Sequence, residues 1–164
     1  MIQKRIEVLA SEIAPQLRED VILVTLMTGA FLFGADLVRA LSALGVTPVL
    51  DFMVLSSYGG HSESSGLITT RLDVRENPKG RQVLLVDDIL DSGLTLQMAS
   101  RHLLDKGADQ LLTCVLLDKP ARRRVAIQAD FIGFEIPNLF VVGYGIDYNQ
   151  MFRELPYVGY VRTP

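Results

Sequence analysis

An α/β fold, with a mostly parallel central sheet and flanking helices, is what this sequence predicts. Apolar runs of strand length alternate along the chain with stretches of helical periodicity, the pattern of strands joined by crossover helices. Three of those runs end in short polar clusters, Met27-Thr28-Gly29, Asp87 to Thr95 and Asp118-Lys119. In parallel sheets ligands bind where strands end and helices begin, so this fold tends to gather the three clusters along one edge. The chain has 164 residues, 49% of them hydrophobic, and no repeat, low-complexity tract or linker. That extent predicts a single folded domain over residues 1–164.

Each element follows from its local pattern. IQKRIEVLASEIAPQLRE (2–19) places Ile6, Leu9, Ile13 and Leu17 at helical spacing. VILVTLM (21–27) is a buried strand. TGAFLFGADLVRALSALG (28–45) is a glycine turn followed by a helix that stops at Gly45. TPVLDFMVLSSY (47–58) is a strand, and GGHSESSG (59–66), rich in glycine and serine with no apolar anchor, is a mobile loop. LITTRLDV (67–74) has strand character and NPKG (77–80) is a turn. RQVLLVDD (81–88) is a strand, and Leu94 to Lys106 a helix closed by Gly107. QLLTCVLLD (110–118) is again a strand. ADFIGFEIP (129–137), LFVVGYG (139–145) and YVGYVR (157–162) are short strands near the C-terminus.

Composition narrows the function classes. A net charge of −3 argues against a generic nucleic-acid binder. The one cysteine, Cys114, has no partner for an internal disulfide and sits in apolar LLTCVLL, where it reads as a small core residue. The opening MIQKRIEVLASEI has no hydrophobic signal region, and no run approaches the roughly 18 apolar residues of a membrane span. The expectation is a cytoplasmic protein.

The stretch VLLVDDILDSGLTL (83–96) carries the chemistry. Three acids at the end of a buried strand are costly unless a cation or hydroxyl meets them. Asp91, Ser92, Gly93 and Thr95 bring backbone N–H groups and two hydroxyls to a helix N-terminus, a setting that favours a phosphate. Asp87 and Asp88, one step earlier, suit sugar hydroxyls. The stretch thus reads as a grip for ribose 5-phosphate. Two plainer readings compete: the acidic pair of a receiver domain, which falls near the N-terminus rather than mid-chain, and an ordinary strand-to-helix turn capped by Asp91 or Ser92.

Val83 to Thr95 resembles the phosphoribosyl-diphosphate (PRPP) motif of the type I phosphoribosyltransferases. TGAFLFGADLVRAL, DFMVLSSYGG, LLDKPARR and DFIGFEIPNLFVVGYGIDYNQMFRELPYVG extend the likeness to the hypoxanthine-guanine phosphoribosyltransferases over nearly the whole chain. The resemblance implies the central sheet plus a small hood from the chain ends. It also implies transfer of a phosphoribosyl group from PRPP to a 6-oxopurine (hypoxanthine, guanine or xanthine), with release of pyrophosphate, by a cytoplasmic homodimer or homotetramer needing Mg2+.

Site residues carry over one by one. Asp87 and Asp88 meet the ribose hydroxyls, and Asp88 with Asp147 holds magnesium, which binds one or two carboxylates and bridges phosphates. Asp91 is the proton partner at purine N7. Asp91, Ser92, Gly93, Leu94 and Thr95 line the 5′-phosphate loop. Lys119 donates to the 6-oxo group, which favours 6-oxo over 6-amino purines because an ammonium cannot accept. Phe140 and Val141 stack on the purine and offer backbone groups to its edge. Met27, Thr28 and Gly29 form the pyrophosphate loop, and Arg153 adds a planar fork on pyrophosphate. Ser57 and Tyr58 begin a lid that excludes water from the reacting centre. On the bare sequence, Lys119 reads as a surface cation, Arg153 equally as a surface cation or a site residue, and Phe140 and Val141 as core strand.

Three departures stand out. The pyrophosphate loop commonly reads Leu-Lys-Gly in the family, whereas here it is Met27-Thr28-Gly29, leaving that contact to backbone N–H groups; a cis peptide is expected at Met27–Thr28. Asp87 replaces a commoner Glu. Asn138 replaces a common Asp, which bears on the choice between guanine and xanthine. Two other functions fit the same grip: a non-catalytic PRPP-binding regulator, disfavoured by the net charge and the intact Asp91, and a phosphoribosyltransferase for another base.

Overall fold

The computed structural model describes residues 1–57 and 68–161. Its elements run α1 (Ile2–Ile13), β1 (Ile22–Met27), α2 (Phe31–Ala43), β2 (Val49–Ser57), β3 (Ile68–Leu72), β4 (Gln82–Leu90), α3 (Leu94–Asp105), β5 (Gln110–Asp118), β6 (Phe131–Glu135), β7 (Val141–Val142) and β8 (Gly159–Tyr160). Six strands make one sheet in the order β3-β2-β1-β4-β5-β6. All neighbours are parallel except β3, which returns antiparallel along β2.

The near-continuous apolar runs of β1, β4 and β5, broken only by buried Thr25 and Thr113 before their polar ends, reflect a sheet covered on both faces. Side chains alternate across it. Leu84, Val86, Cys114 and Leu116 join α1 and α2 through Ile6, Leu9, Ile13, Phe33, Leu37 and Leu41. Val83, Leu85 and Val115 join α3 through Leu96, Ala99 and Leu103 on the other face. Cys114 is fully buried, and that burial pushes its thiol well above the ordinary range, so the core reading holds.

β7 and β8 form a separate antiparallel ribbon. Val141, Tyr144 and Ile146 of this C-terminal hood share the apolar cluster of α1, and Arg5 of α1 donates to the carbonyls of Ile132 and Gly133 on β6. The two chain ends therefore meet on one side of the sheet.

Local differences from the sequence reading have physical causes. α1 ends at Ile13 and a 3₁₀ turn takes over at Ala14–Gln16, because Pro15 lacks an N–H for the helical ladder; Leu17 packs on the core from beyond the helix. The run LFVVGYG pairs only over Val141–Val142, since the positive φ of Gly143, Tyr144 and Gly145 turns the chain away. No helix among the described residues is long and apolar enough to cross a membrane.

Candidate active site

β1, β4 and β5 are adjacent, so their C-terminal ends bring the three polar clusters together. A cleft of about 260 Å³ lies over the first two, lined by Met27, Gly29 and Leu55 together with Asp87 to Gly93 and Thr95; the Asp118-Lys119 end of β5 reaches it through the contact of Lys119 with Asp91. Thr28 is exposed at its lip, and Leu94 opens α3 behind it. The Met27–Thr28 peptide is cis, as expected.

Asp87 is buried and Asp88 half-buried on the cleft floor. Burial, and then the neighbouring Asp88, raise the Asp87 carboxyl well above the carboxylate range. Asp88 is raised by burial too, held back by a hydrogen bond from Asp87, by backbone N–H groups and by the charge of Arg153. Two acids in this state favour a cation or hydroxyl donors above them.

Asp91 stands at the mouth. Its Oδ2 lies 3.2 Å from Lys119 Nζ and 3.5 Å from an Arg122 nitrogen. Its Oδ1 is buried without a hydrogen-bond partner among the described residues. Lys119 is only 4% exposed, so it is not a surface cation; its Nζ also donates to the Leu139 carbonyl at 3.2 Å. That contact places the β5 end beside Phe140, whose half-exposed ring meets Tyr148 edge-on at 5.5 Å, and beside buried Val141.

The hood closes the other flank. Arg153 pairs with Asp147 at 2.8 Å and donates to the Gly145 carbonyl at 2.7 Å. Gly145 rests directly on Gly29: a methyl on Gly145 would overlap the Gly29 carbonyl oxygen, and one on Gly29 would overlap Asp88 Oδ2. Glycine is required at Gly145, where φ is +99° and the obstacle is backbone, whereas a side chain at Gly29 displaces the Asp88 carboxylate.

Among the described residues no three His, Cys, Asp or Glu side chains gather as a metal cage. Asp88 and Asp147 still suit magnesium, which takes one or two carboxylates and completes its octahedron with water and substrate phosphates. The raised, crowded carboxyl of Asp88 is the kind a divalent cation relieves.

Ser57 ends β2; Tyr58 and the rest of the expected lid lie outside the described residues. Sequence reasoning missed Arg122 and Arg123. The signal was present in the arginine run after Lys119, but a Pro-Ala-Arg stretch reads as a solvated turn.

The chain matches the phosphoribosyl transferase domain over residues 1–149. It is 46% identical to a hypoxanthine-guanine phosphoribosyltransferase of Aquifex aeolicus, across 96% of this chain and 88% of that one. It is 45% identical to the hypoxanthine phosphoribosyltransferase of Escherichia coli K12, across 98% and 90%. The solved Trypanosoma cruzi hypoxanthine phosphoribosyltransferase in complex with the product IMP superposes with a TM-score of 0.91 at 39% identity, covering 98% of this chain and 89% of that one. A cleft built on the ends of β1, β4 and β5, with acids on its floor and Lys119 at its mouth, thus has full-length relatives, and the chain belongs to the phosphoribosyltransferase family, on its hypoxanthine and hypoxanthine-guanine branch.

Proposed function

We propose that the protein transfers the 5-phosphoribosyl group of PRPP to a 6-oxopurine, giving the nucleoside monophosphate and pyrophosphate. The observation that carries this is the Lys119–Asp91 pair. A 6-oxopurine presents an oxygen that only accepts and, beside it, a ring N–H that donates. Lys119 supplies the donor and Asp91 the acceptor, with Asp91 Oδ1 still lacking a donor among the described residues. An adenine amino group meets the ammonium with nothing to accept its proton.

Each residue then has a task. Asp87 and Asp88 orient the ribose hydroxyls, and their negative charge favours a developing ribosyl cation. The N–H groups of Asp91 to Thr95 hold the 5′-phosphate at the start of α3. Met27 to Gly29 and Arg153 hold the departing pyrophosphate. Phe140 and Val141 fix the purine plane. As a purine nitrogen attacks the anomeric carbon and the bond to pyrophosphate breaks, Asp91 accepts the purine proton. Asp88 and Asp147 hold Mg2+, which neutralises phosphate charge when bound.

The same reading covers the whole molecule. Residues 1–164 form one domain, a reading supported by the six-stranded sheet, the apolar clusters on its two faces and the hood residues that share one of those clusters. The reading includes a cytoplasmic homodimer or homotetramer; self-association is supported by the apolar side chains left exposed on Phe31 of α2 and Leu50 and Phe52 of β2.

One assay tests the function: purified protein with magnesium and PRPP, offered hypoxanthine, guanine, xanthine, adenine and uracil in parallel. Nucleotide should form from 6-oxopurines and not from adenine or uracil. Formation from none of them, or from adenine alone, overturns the reading.

A further inference from the structure

Arg123 has no role above, yet its guanidinium is tied into the loop that leads from β4 to α3. One of its terminal nitrogens donates to the Leu90 carbonyl at 2.7 Å and to the Asp91 carbonyl at 2.6 Å. The other is paired with the Asp118 carboxylate at the end of β5. Both side chains of that pair are largely buried, 16% and 12% exposed.

Two backbone bonds complete the arrangement. Lys119 N–H donates to Leu90 O at 3.0 Å, and Arg124 N–H to Ser92 O at 2.9 Å. Three consecutive carbonyls, those of Leu90, Asp91 and Ser92, are thereby drawn toward the segment 119–124. These peptides are trans, and in a trans peptide the N–H points opposite to the C=O of the same unit. The N–H groups of Asp91, Ser92 and Gly93 therefore turn the other way, and those three residues line the cleft. A row of N–H groups presented in this sense is an anion cradle. The segment after Arg123 also props the loop: at Gly93, where φ is +86°, a Cβ would come within 2.6 Å of Ile127 and 2.9 Å of Val125.

We propose that Arg123 is a positioning residue for the phosphoribosyl donor. It fixes the carbonyls of Leu90 and Asp91, beside the Arg124 backbone bond to Ser92, and so pre-forms the N–H cradle that receives the 5′-phosphate. The role rests on the PRPP reading of the cleft. Arg123 touches no reacting atom; it acts through the backbone it holds. A planar fork serves this purpose, since it spans two carbonyls and a carboxylate at once, and a lysine ammonium in its place keeps the charge beside Asp118 without that span.

The test compares IMP with inosine, ligands that differ only in the 5′-phosphate. Arg123→Lys should raise the Kd for IMP and the KM for PRPP by roughly tenfold to a hundredfold. Inosine binding, the KM for hypoxanthine and kcat at saturating PRPP should stay near their wild-type values. Asp118→Asn retains an acceptor for Arg123 and should give the same selective loss at smaller size, which serves if Arg123→Lys does not fold. Unchanged IMP affinity in a folded Arg123→Lys protein, or equal losses for IMP and inosine, overturns the role. A wild-type protein that binds neither PRPP nor IMP overturns the reading of the cleft, and this role with it.

Discussion

Lys119 Nζ and Asp91 Oδ2 lie 3.2 Å apart at the mouth of the cleft, with Lys119 almost fully buried. Each group neutralises the other, and each is the group that one atom of a 6-oxopurine edge would seek. On the proposed function, purine binding exchanges one ion pair for two charge-assisted hydrogen bonds.

Lys119→Ala should therefore lower kcat/KM for hypoxanthine and for guanine alike. A hydrogen bond to a charged group contributes about 1.5–3 kcal/mol, and about 1.36 kcal/mol is tenfold in rate, so the loss should be roughly 10–150-fold. Discrimination against adenine should shrink, and the KM for PRPP should hardly move. Wild-type kcat/KM for both oxopurines would return Lys119 to a structural role beneath Leu139.

Asp91→Asn keeps the shape of the loop and removes the proton acceptor. General acid–base groups contribute about 10²–10⁴-fold, so kcat should fall by that order while PRPP affinity, measured by equilibrium binding, stays close to wild type. A loss below roughly tenfold would show that Asp91 serves the fold rather than the chemistry.

Gly29→Ala introduces a methyl that overlaps the Asp88 carboxylate. The short, half-buried Asp88 side chain must rotate to admit it. The expected result is a folded protein with a KM for PRPP raised at least tenfold and a higher magnesium requirement, as in other losses of a phosphate or metal contact. Wild-type kinetics would mean that the junction yields more easily than its packing implies.

On the proposed function, magnesium removal should abolish nucleotide formation, since Asp88 and Asp147 would hold a metal that carries phosphate charge. Titration with excess chelator, followed by Mg2+ or Mn2+ restoration, measures this. Full activity in chelator would exclude the metal role.

Asp73, just past β3, anchors that edge to α3 through His102 at 2.8 Å and Lys106 at 2.6 Å. Burial raises its carboxyl, but the hydrogen bonds from Lys106, His102 and the Val74 N–H outweigh that and hold it below the usual range. A carboxyl depressed in the folded state stabilises the protein above its unfolded pKa, and that stability is lost as pH falls through the folded value. Asp73 is 41% exposed, so the contribution is screened and small. Thermal unfolding should show Asp73→Asn less stable than wild type at pH 6, with the gap closing below about pH 4. An equal gap at both ends would assign the effect to shape rather than charge.

Much of this architecture is visible in the chain because the sheet is covered on both faces. Strands buried that way spell near-continuous apolar runs, so β1, β4 and β5 stand out with their polar ends, and Asp87 to Thr95 is legible as a site. Lys119 is different. Its burial is decided by the hood folding over the end of β5, a contact between residues twenty positions apart that no local pattern encodes. Arg123 is hidden for the same reason, since its partners Leu90 and Asp91 sit on the neighbouring strand's loop. The hood itself is the least legible part. Asn149 is a residue type that tolerates positive φ, but at Tyr144, Gln150 and Phe152 residue type does not predict it, and bonds such as Tyr144 to Asp36 hold the conformation.

The Gly29–Gly145 junction has a mechanical consequence. Two backbones in direct contact, with no side chain between them to absorb displacement, form a linkage without slack. Gly29 belongs to the loop after β1, which on the proposed function holds pyrophosphate, and Gly145 lies on the turn that follows Val141 and Val142 of β7, close in sequence to Phe140. On the proposed function this contact joins the loop that holds pyrophosphate to the hood that carries Phe140, so any side chain at Gly145 would have to push the two apart.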